Sequence, residues 1–334
     1  MVRPTDPGGR FVQAWEPLNP FTDLALEATA AARGDAHTEI PGVMMREERY
    51  ENATVSWVEV LDQVGEQMIG KPIGNYVTID APELRRRNRD LQEQVGKVLV
   101  EQLDKLLDLK ENDTVLVVGL GNWNATPDAL GPRVTGKLLV TRHLRDYVPT
   151  DVAGGLRAVA AISPGVLGIT GIETAEVIHG IVERINPAVV ICIDALAARS
   201  VERIGTTIQI ADTGIQPGGG IGNKRQALNK QTLGVPVIAI GVPTVVHAAT
   251  IVQDAFEAMA GSFADTKPFF QLFRSPESRR QLLNEVLSPT VGELVVTPKE
   301  IDDLTEDMAK LIAGSLNAVL HTSVTAQDLL RHIN

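Results

Sequence analysis

Four short apolar runs recur through the middle of the chain and constrain its fold more than any other feature: TVLVVGLG, RAVAAIS, AVVICIDAL and PVIAIGVP. Stretches with a helical spacing of apolar residues separate them, such as Ala129 to Leu144 and Thr174 to Ile185. Runs that are apolar at nearly every position are typical of strands buried on both faces, and their alternation with helices is typical of parallel pairing. The pattern predicts an α/β fold with a mostly parallel twisted sheet covered by helices on both faces.

Sequence on either side of this core predicts further elements. The segments VMMREERY, ATVSWVEV and NYVTID predict extra N-terminal strands, and TTIQIAD predicts an edge strand. Glu83 to Asp108 carries Leu and Val at helical spacing after Pro82, which predicts one long amphipathic helix. Near the other end, Thr297 and Glu300 have the spacing of a capping box, which predicts the start of a helix that runs through Leu320.

Composition limits the class of protein. With 334 residues, of which 44% are hydrophobic, the chain can bury a large core. Its formal charge of -11 argues against broad contact with a phosphate backbone, so we expect no direct nucleic-acid partner. The start MVRPTDPGGR lacks the apolar core of a secretion signal, and no run is apolar for long enough to span a bilayer. We therefore expect a cytoplasmic protein that makes no membrane contact.

The glycine-rich stretch VVGLGNWNATPDALGP, which includes the end of the first core run, could be interpreted as a nucleotide site. A dinucleotide fingerprint needs a third glycine, but Gly119 and Gly121 are followed by Asn124 at that position. The later cluster QPGGGIGNKR contains Lys224 without a following Ser or Thr to hold magnesium. Phosphate binding is therefore disfavoured, and the cluster is interpreted as a mobile loop.

Sequence patterns for a nucleophile or a bound metal are not found either. The chain contains no G-x-S-x-G and no H-E-x-x-H, and its six histidines do not cluster in sequence. Its single cysteine, Cys192, lies inside an apolar run, where a small buried side chain is expected. We expect neither a cofactor nor a metal.

Two carboxylates stand out by position: Asp128 follows the first core run, and Asp194 ends the apolar run VVICID. Sites in open α/β sheets form beyond the carboxyl ends of strands, so both acids could reach one crevice. Two acids held close in a dry cleft cannot both ionise easily, and such a pair can activate a water and protonate a leaving amine. The alternative is structural, because Asp128 could cap the helix that begins near Ala129 and Asp194 could cap a turn.

Seven motifs lie along the chain in the order LVVGLGNWNATPDALGP, LLVTRHL, SPGVLGITGIET, IDALAARS, GNKR, IAIGVPTVV and VTPKEID. Together they resemble the germination proteases of spore-forming bacteria, endopeptidases that degrade small acid-soluble spore proteins. The resemblance extends from about Thr22 to near His321.

This resemblance implies an atypical aspartic-type endopeptidase whose fold is similar to that of the hydrogenase-maturation endopeptidases. It implies that Asp128 and Asp194 are the two catalytic acids. It also implies an inactive zymogen, a homotetramer, and small acid-soluble spore proteins as substrates. The expected compartment is the cytoplasm of the developing and germinating spore.

The family resemblance further implies self-cleavage after an acidic and before an apolar residue, which Asp23–Leu24 and Glu39–Ile40 both match. Pro41 restricts the backbone beyond the second bond, so we expect the cut between Asp23 and Leu24. Residues 1–23 would then be a propeptide and residues 24–334 a single α/β protease domain. An acidic side chain before the cut needs a positive partner, because a desolvated carboxylate is costly unless paired. The predicted substrate-binding residues lie in or beside the family-like motifs: Arg199, Lys224 and Arg225.

Two other functions stay open from the sequence. In a metal-assisted peptidase, His247 in PTVVH would join the two acids. In a non-catalytic binding module, the same acids would cap helices while the glycine loops hold a partner.

Overall fold

A computed structural model describes residues 22–33, 39–144, 156–218, 225–252, 254–255 and 294–321. The described residues contribute nine strands to one sheet, in the order β1-β2-β3-β7-β8-β6-β4-β5, with β9 also paired to β8. The strands are β1 Val43–Arg49, β2 Thr54–Val60, β3 Gly74–Asp80, β4 Thr114–Gly119, β5 Ala158–Ile162, β6 Val189–Ala198, β7 Thr207–Ala211, β8 Val237–His247 and β9 Val295–Val296.

The sheet has a parallel part and an antiparallel part. Strands β5, β4, β6 and β8 pair in parallel, as their apolar runs predict. The predicted N-terminal strands β1 to β3 are confirmed, and they extend the sheet through antiparallel pairs. The complete sheet is therefore mixed. The prediction that TTIQIAD forms an edge strand is wrong, because β7 lies between β3 and β8 and is buried along its whole length.

Eight α-helices connect these strands or flank them in the described residues: α1 Ala25–Arg33, α2 Gln63–Ile69, α3 Arg89–Leu106, α4 Leu130–Thr135, α5 Leu167–Thr170, α6 Thr174–Ile185, α7 Lys230–Leu233 and α8 Ile301–Leu320. Residues 248–252 are also helical. Helices α3, α4 and α8 pack on one face of the sheet, against side chains such as Val117 and Ile240. Helices α1 and α6 pack on the other face, against side chains such as Ala239 and Leu116. Helical cover on both faces is thus confirmed.

Two predicted helices are shorter in the structure. The segment 83–108 breaks at Arg87, whose φ of +52° is left-handed. A 3-10 turn, Pro82–Arg86, precedes this break, and α3 begins after it with the Asn88 side chain as its cap. Likewise the predicted helix 129–144 ends at Thr135, and a separate 3-10 turn covers Arg142–Leu144.

The predicted capping box before α8 is wrong in detail. The helix runs to Leu320 as expected, but Glu300 occupies its N-cap position. The hydroxyl of Thr297 instead donates a hydrogen bond of 2.8 Å to the carbonyl of Thr244. This bond ties the entry of α8 to strand β8.

Two further expectations concern the interior and the membrane. Cys192 is fully buried in β6, and burial raises the pKa of its thiol. It is a core side chain, as the sequence indicates. Within the described ranges, no helix is both long and apolar enough to cross a membrane.

Close packing of α4 on the sheet predicts a strong effect of a single methyl group. A Cβ on Gly131 would lie 2.3 Å from the carbonyl oxygen of Leu120 and 2.6 Å from that of Ile193. We expect Gly131→Ala to lower the free energy of unfolding by about 1–3 kcal/mol, since the backbone must shift to admit it. Urea unfolding followed by circular dichroism measures this change.

The matched control is Gly180→Ala, in α6, where an added Cβ meets no atom within 4 Å among those described. There the substitution is expected to stabilise the fold by about 0.5–1 kcal/mol through helix propensity. Equal unfolding free energies for the two variants would contradict the close approach of α4.

Candidate functional site

Asp194 lies in β6, at the level where β4 ends. The last residue of β4, Gly119, pairs with Ile193, and Asp194 itself pairs with Gly241 of β8. Asp194 is 6% exposed, and its carboxylate accepts a hydrogen bond of 2.9 Å from the backbone N–H of Ala195. No helix starts at Asp194, which is inside a strand. The carboxyl group is therefore held in a dry environment at the carboxyl end of the parallel strands.

Asp128 ends the 3-10 turn Thr126–Asp128 that follows β4. Its carboxylate accepts a hydrogen bond of 2.7 Å from the backbone N–H of Asn122, which closes the loop between β4 and α4. Gly121 has a φ of +106°, and a Cβ there would lie 2.0 Å from the carbonyl oxygen of Asp128. Among the described residues no side chain caps the start of α4, so Asp128 does not act as its cap. The glycine allows the tight turn that presents Asp128.

The 3-10 turn that carries Asp128 contacts strand β6, which carries Asp194. This contact brings the charge of Asp128 close enough to act on the Asp194 carboxyl. Burial raises the pKa of the Asp194 carboxyl well above its usual range, and the charges of Asp128 and Asp23 raise it further. Burial also raises the pKa of Asp128, whereas the hydrogen bond from Asn122 opposes that rise. Of the two carboxyls, Asp194 is the one that retains a proton more strongly.

The N-terminal segment lies along the same end of β6. The backbone N–H of Asp23 donates to the carbonyl of Ala197 at 3.0 Å, and the N–H of Ala197 donates to the Asp23 carboxylate at 2.8 Å. The side chain of Leu24 is fully buried in a cluster with Leu196, Ala198 and other apolar residues. The two residues on either side of the expected cut are therefore fixed beside the candidate site.

Two side chains that the sequence analysis did not single out contact this segment. The ammonium of Lys71 donates to the carbonyl of Asp23 at 2.9 Å and to that of Thr22 at 3.2 Å. The amide of Gln209 donates to the same carbonyl of Asp23 at 3.1 Å. Gln209 is a polar residue in the middle of the apolar strand TTIQIAD, and this position could have indicated a functional role. No sequence pattern distinguishes Lys71, which lies in the loop after α2.

A partly buried ion network anchors the start of α1. The carboxylate of Glu27 accepts hydrogen bonds from the backbone N–H groups of Arg199 and Ser200, at 2.7 and 3.1 Å. It also pairs with the guanidinium of Arg203 at 3.2 Å, and that guanidinium binds both carboxylate oxygens of Asp80. The network joins α1 to the ends of β6 and β3.

The predicted basic residues lie in different surroundings. The guanidinium of Arg199 lies 3.4 Å from the carboxylate of Asp254, and that of Arg225 lies 3.5 Å from the carboxylate of Glu173. Lys224 lies outside the described residues. A substrate-binding role for these three residues stays a prediction. The ammonium group seen at the carbonyl of Asp23 belongs to Lys71.

The structure does not bring His247 to the two acids. Asp194 pairs with Gly241, and β8 rises about 20 Å from that residue to His247, which pairs with Val295. Within the described ranges, no three His, Cys, Asp or Glu side chains group closely enough to hold a metal ion. The geometry of these residues therefore does not support the metal-assisted alternative.

A family model described as germination protease matches residues 21–267 and 271–332 of the chain. The chain belongs to the germination protease family. It is therefore a peptidase, and the expected family is confirmed. Proteins named Germination protease from Caldanaerobacter subterraneus subsp. tengcongensis, Clostridium tetani and Bacillus cereus are 49%, 46% and 43% identical to this protease. The matches cover 92%, 94% and 91% of this chain and 96%, 99% and 94% of the relatives.

Among solved structures, the protease is similar to the NiFe hydrogenase maturation protease HycI from Thermococcus kodakarensis KOD1. The match covers 64% of this chain and 98% of that one, with a TM-score of 0.32 and 18% sequence identity.

The raised pKa of Asp194 predicts a pH-dependent effect on stability. The folded-state pKa lies above the unfolded one, so ionisation of Asp194 destabilises the fold as the pH rises past the ordinary carboxyl range. We expect Asp194→Asn to raise Tm near pH 7 by at least about 2 °C for each pKa unit of the shift. Near pH 4 the difference should become small, because the wild-type carboxyl is then protonated in the fold. Calorimetry at both pH values measures it.

The control for this experiment is Asp104→Asn, an exposed position on α3. It should leave Tm nearly unchanged at both pH values. A Tm for Asp194→Asn that is equal to or below the wild-type value near pH 7 would show that the buried carboxyl is not destabilising.

Proposed function

We propose that this protease is an atypical aspartic-type endopeptidase in which Asp128 and Asp194 act together on a water molecule. The observation that carries the proposal is the placement of two partly or fully buried carboxyls at the carboxyl end of the parallel strands, where the charge of Asp128 raises the pKa of Asp194. This edge is where sites form in open α/β sheets. The raised pKa of Asp194 suits a proton donor, and Asp128 then serves as the base.

The proposed reaction is hydrolysis of a peptide bond. Asp128 takes a proton from water, whose oxygen attacks the carbonyl carbon of the scissile bond. Asp194 gives its proton to the leaving nitrogen as the carbon–nitrogen bond breaks. The products are a new carboxyl terminus and a new amine. The proton that Asp128 took from water replaces the one that Asp194 gave away, so the pair again holds one proton.

We propose that the first bond cut is the chain's own, between Asp23 and Leu24, so that residues 1–23 are a propeptide and residues 24–334 the protease domain. Support comes from the Asp23 carboxylate, whose charge is one of those that raise the pKa of Asp194. While Thr22 to Leu24 occupies this end of β6, another chain cannot bind there in the same way. The uncut protein would therefore be an inactive zymogen.

Preference for an acidic residue before the cut follows from the same contacts. The N–H of Ala197 donates to the carboxylate of Asp23. The negative charge of that carboxylate raises the pKa of Lys71, whereas burial lowers it. A substrate residue in this place would meet the same N–H and the same ammonium. Small acid-soluble spore proteins as substrates, the homotetramer and the spore cytoplasm are proposed from the family resemblance.

The carboxylate pair is tested by Asp128→Asn and Asp194→Asn in the full chain. We expect each to slow self-cleavage at Asp23–Leu24 by at least about 100-fold, because each removes one proton-transfer group. Intact mass and N-terminal sequencing follow the reaction, and Asp104→Asn serves as the control. A normal rate in either variant would remove that acid from the mechanism.

The non-catalytic alternative is tested with residues 24–334 produced without the first 23 residues. This form should hydrolyse a synthetic peptide that contains an acidic residue followed by an apolar one. Binding of this peptide without cleavage, together with a full chain that does not cut itself, would favour a binding module.

A further inference from the structure

The carbonyl oxygen of Asp23 is held by two side-chain donors from separate parts of the fold. Lys71 reaches it from the loop after α2, at 2.9 Å, and Gln209 reaches it from β7, at 3.1 Å. Two donors on one carbonyl, one of them a cation, resemble the arrangement that stabilises an oxyanion during acyl transfer. The carbonyl belongs to the bond whose cleavage is proposed above, and the present inference rests on that proposal.

The sheet register places Gln209 and Asp194 on the same face of the sheet. Gln209 pairs with Gly241 of β8, and Gly241 pairs with Asp194 of β6, so the three residues form one row across neighbouring strands. Residues in one row point to the same face of a sheet, and two strand spacings separate the outer pair by about 10 Å. The side chain of Leu196 lies over Gly241 between them, and Leu24 belongs to the same buried cluster as Leu196. The segment that carries the Asp23–Leu24 bond therefore lies on the face of the sheet that Gln209 and Asp194 share.

The amide of Gln209 fixes the peptide on both sides of Leu24. Its nitrogen donates to the carbonyl of Asp23, and its oxygen accepts a hydrogen bond of 2.6 Å from the N–H of Ala25. The side chain of Leu24 is fully buried, which prevents the bond from rotating away. Gln209 thus acts on this segment as a neighbouring strand would, and it presents the Asp23 carbonyl to Lys71.

We propose that Lys71 and Gln209 form a carbonyl clamp that polarises the Asp23–Leu24 bond and stabilises the oxyanion during self-cleavage. Water oxygen bonds to the carbonyl carbon, and the electron pair of the C=O bond moves to the oxygen that Lys71 and Gln209 hold. When this pair returns, the carbon–nitrogen bond breaks, and the nitrogen of Leu24 leaves with the proton of Asp194. Lys71 and Gln209 keep their own protons throughout.

The surroundings of Lys71 make its charge effective. Burial lowers the pKa of its ammonium, and the charges of Asp23 and Glu27 oppose that change. A cation in a dry environment stabilises a developing negative charge far more than one in water does. The same two carboxylates favour the protonated form of Lys71, so the clamp depends on an acidic residue before the cut.

The test measures the first-order rate of self-cleavage in the full chain for Lys71→Met and Lys71→Arg. We expect Lys71→Met to slow cleavage by about 100-fold to 1,000-fold, the usual effect of losing one oxyanion donor. Lys71→Arg keeps a charged donor and should cleave at least about tenfold faster than Lys71→Met. Gln209→Glu, which loses the donor but keeps an acceptor for Ala25, should also be slow. Lys97→Met, on the exposed face of α3, is the matched control and should cleave at the wild-type rate.

Hydrogen exchange separates a catalytic role from simple anchoring. The clamp predicts that the amides of α1 in Lys71→Met remain as protected as in the wild type while cleavage is slow. If the amides of α1 lose protection in Lys71→Met to an extent that accounts for the slower cleavage, Lys71 only anchors the segment and the proposal is overturned. A wild-type rate of cleavage in Lys71→Met would also overturn it.

Asp194→Asn, measured in parallel, separates failure of the clamp from failure of the carboxylate pair. Normal cleavage in Asp194→Asn with slow cleavage in Lys71→Met would remove the pair and leave the clamp. The reverse result would remove the clamp alone. Wild-type cleavage at another bond would overturn the clamp, because the carbonyl that it holds would not be the reacting one.

Discussion

Burial of the Asp194 carboxyl is the constraint on which the site depends. Strand β6 lies between β4 and β8 and is covered by helices on both faces, so the side chain of Asp194 has little access to water. The hydrogen bond from the backbone N–H of Ala195 replaces part of the lost hydration of the carboxylate. Burial still favours the protonated, uncharged form of this carboxyl. A fold that only had to be stable would place an apolar residue at this point of the strand. The proposed function accounts for this acid, to which Asp128 in the adjoining loop gives a partner.

Under the proposed function, the N-terminal segment connects this acid to regulation. Asp23 extends the edge of β6 at Ala197, Leu24 fills an apolar cluster, and Glu27 ties α1 to Arg203. These contacts hold one peptide bond against the face of the sheet that Gln209 and Asp194 share. Under the proposed function, the same contacts that keep another chain out also orient the bond that must break. Inhibition and activation would then share a single set of interactions.

Several parts of this arrangement could be predicted from the sequence because they depend on local pattern. The apolar runs located β4, β5, β6 and β8, and position at the end of a run selected Asp128 and Asp194. Other parts depend on contacts between distant segments, which no local pattern records. Lys71 lies in the loop after α2, and its contact with the carbonyl of Asp23 forms only in the folded chain. The break at Arg87 and the cap of α8 differ from prediction because tertiary contacts outweighed helix propensity and a short motif.

The central claim is that the pair holds one proton at neutral pH, mainly on Asp194. The most direct measurement is a carbon-13 NMR titration of the aspartate carboxyl groups in the full chain, with the Asp194 signal assigned by its loss in Asp194→Asn. The account predicts that this signal titrates well above the ordinary aspartate value of about 4, and that Asp128→Asn lowers its midpoint. A midpoint near that ordinary value, unchanged by Asp128→Asn, would contradict the claim.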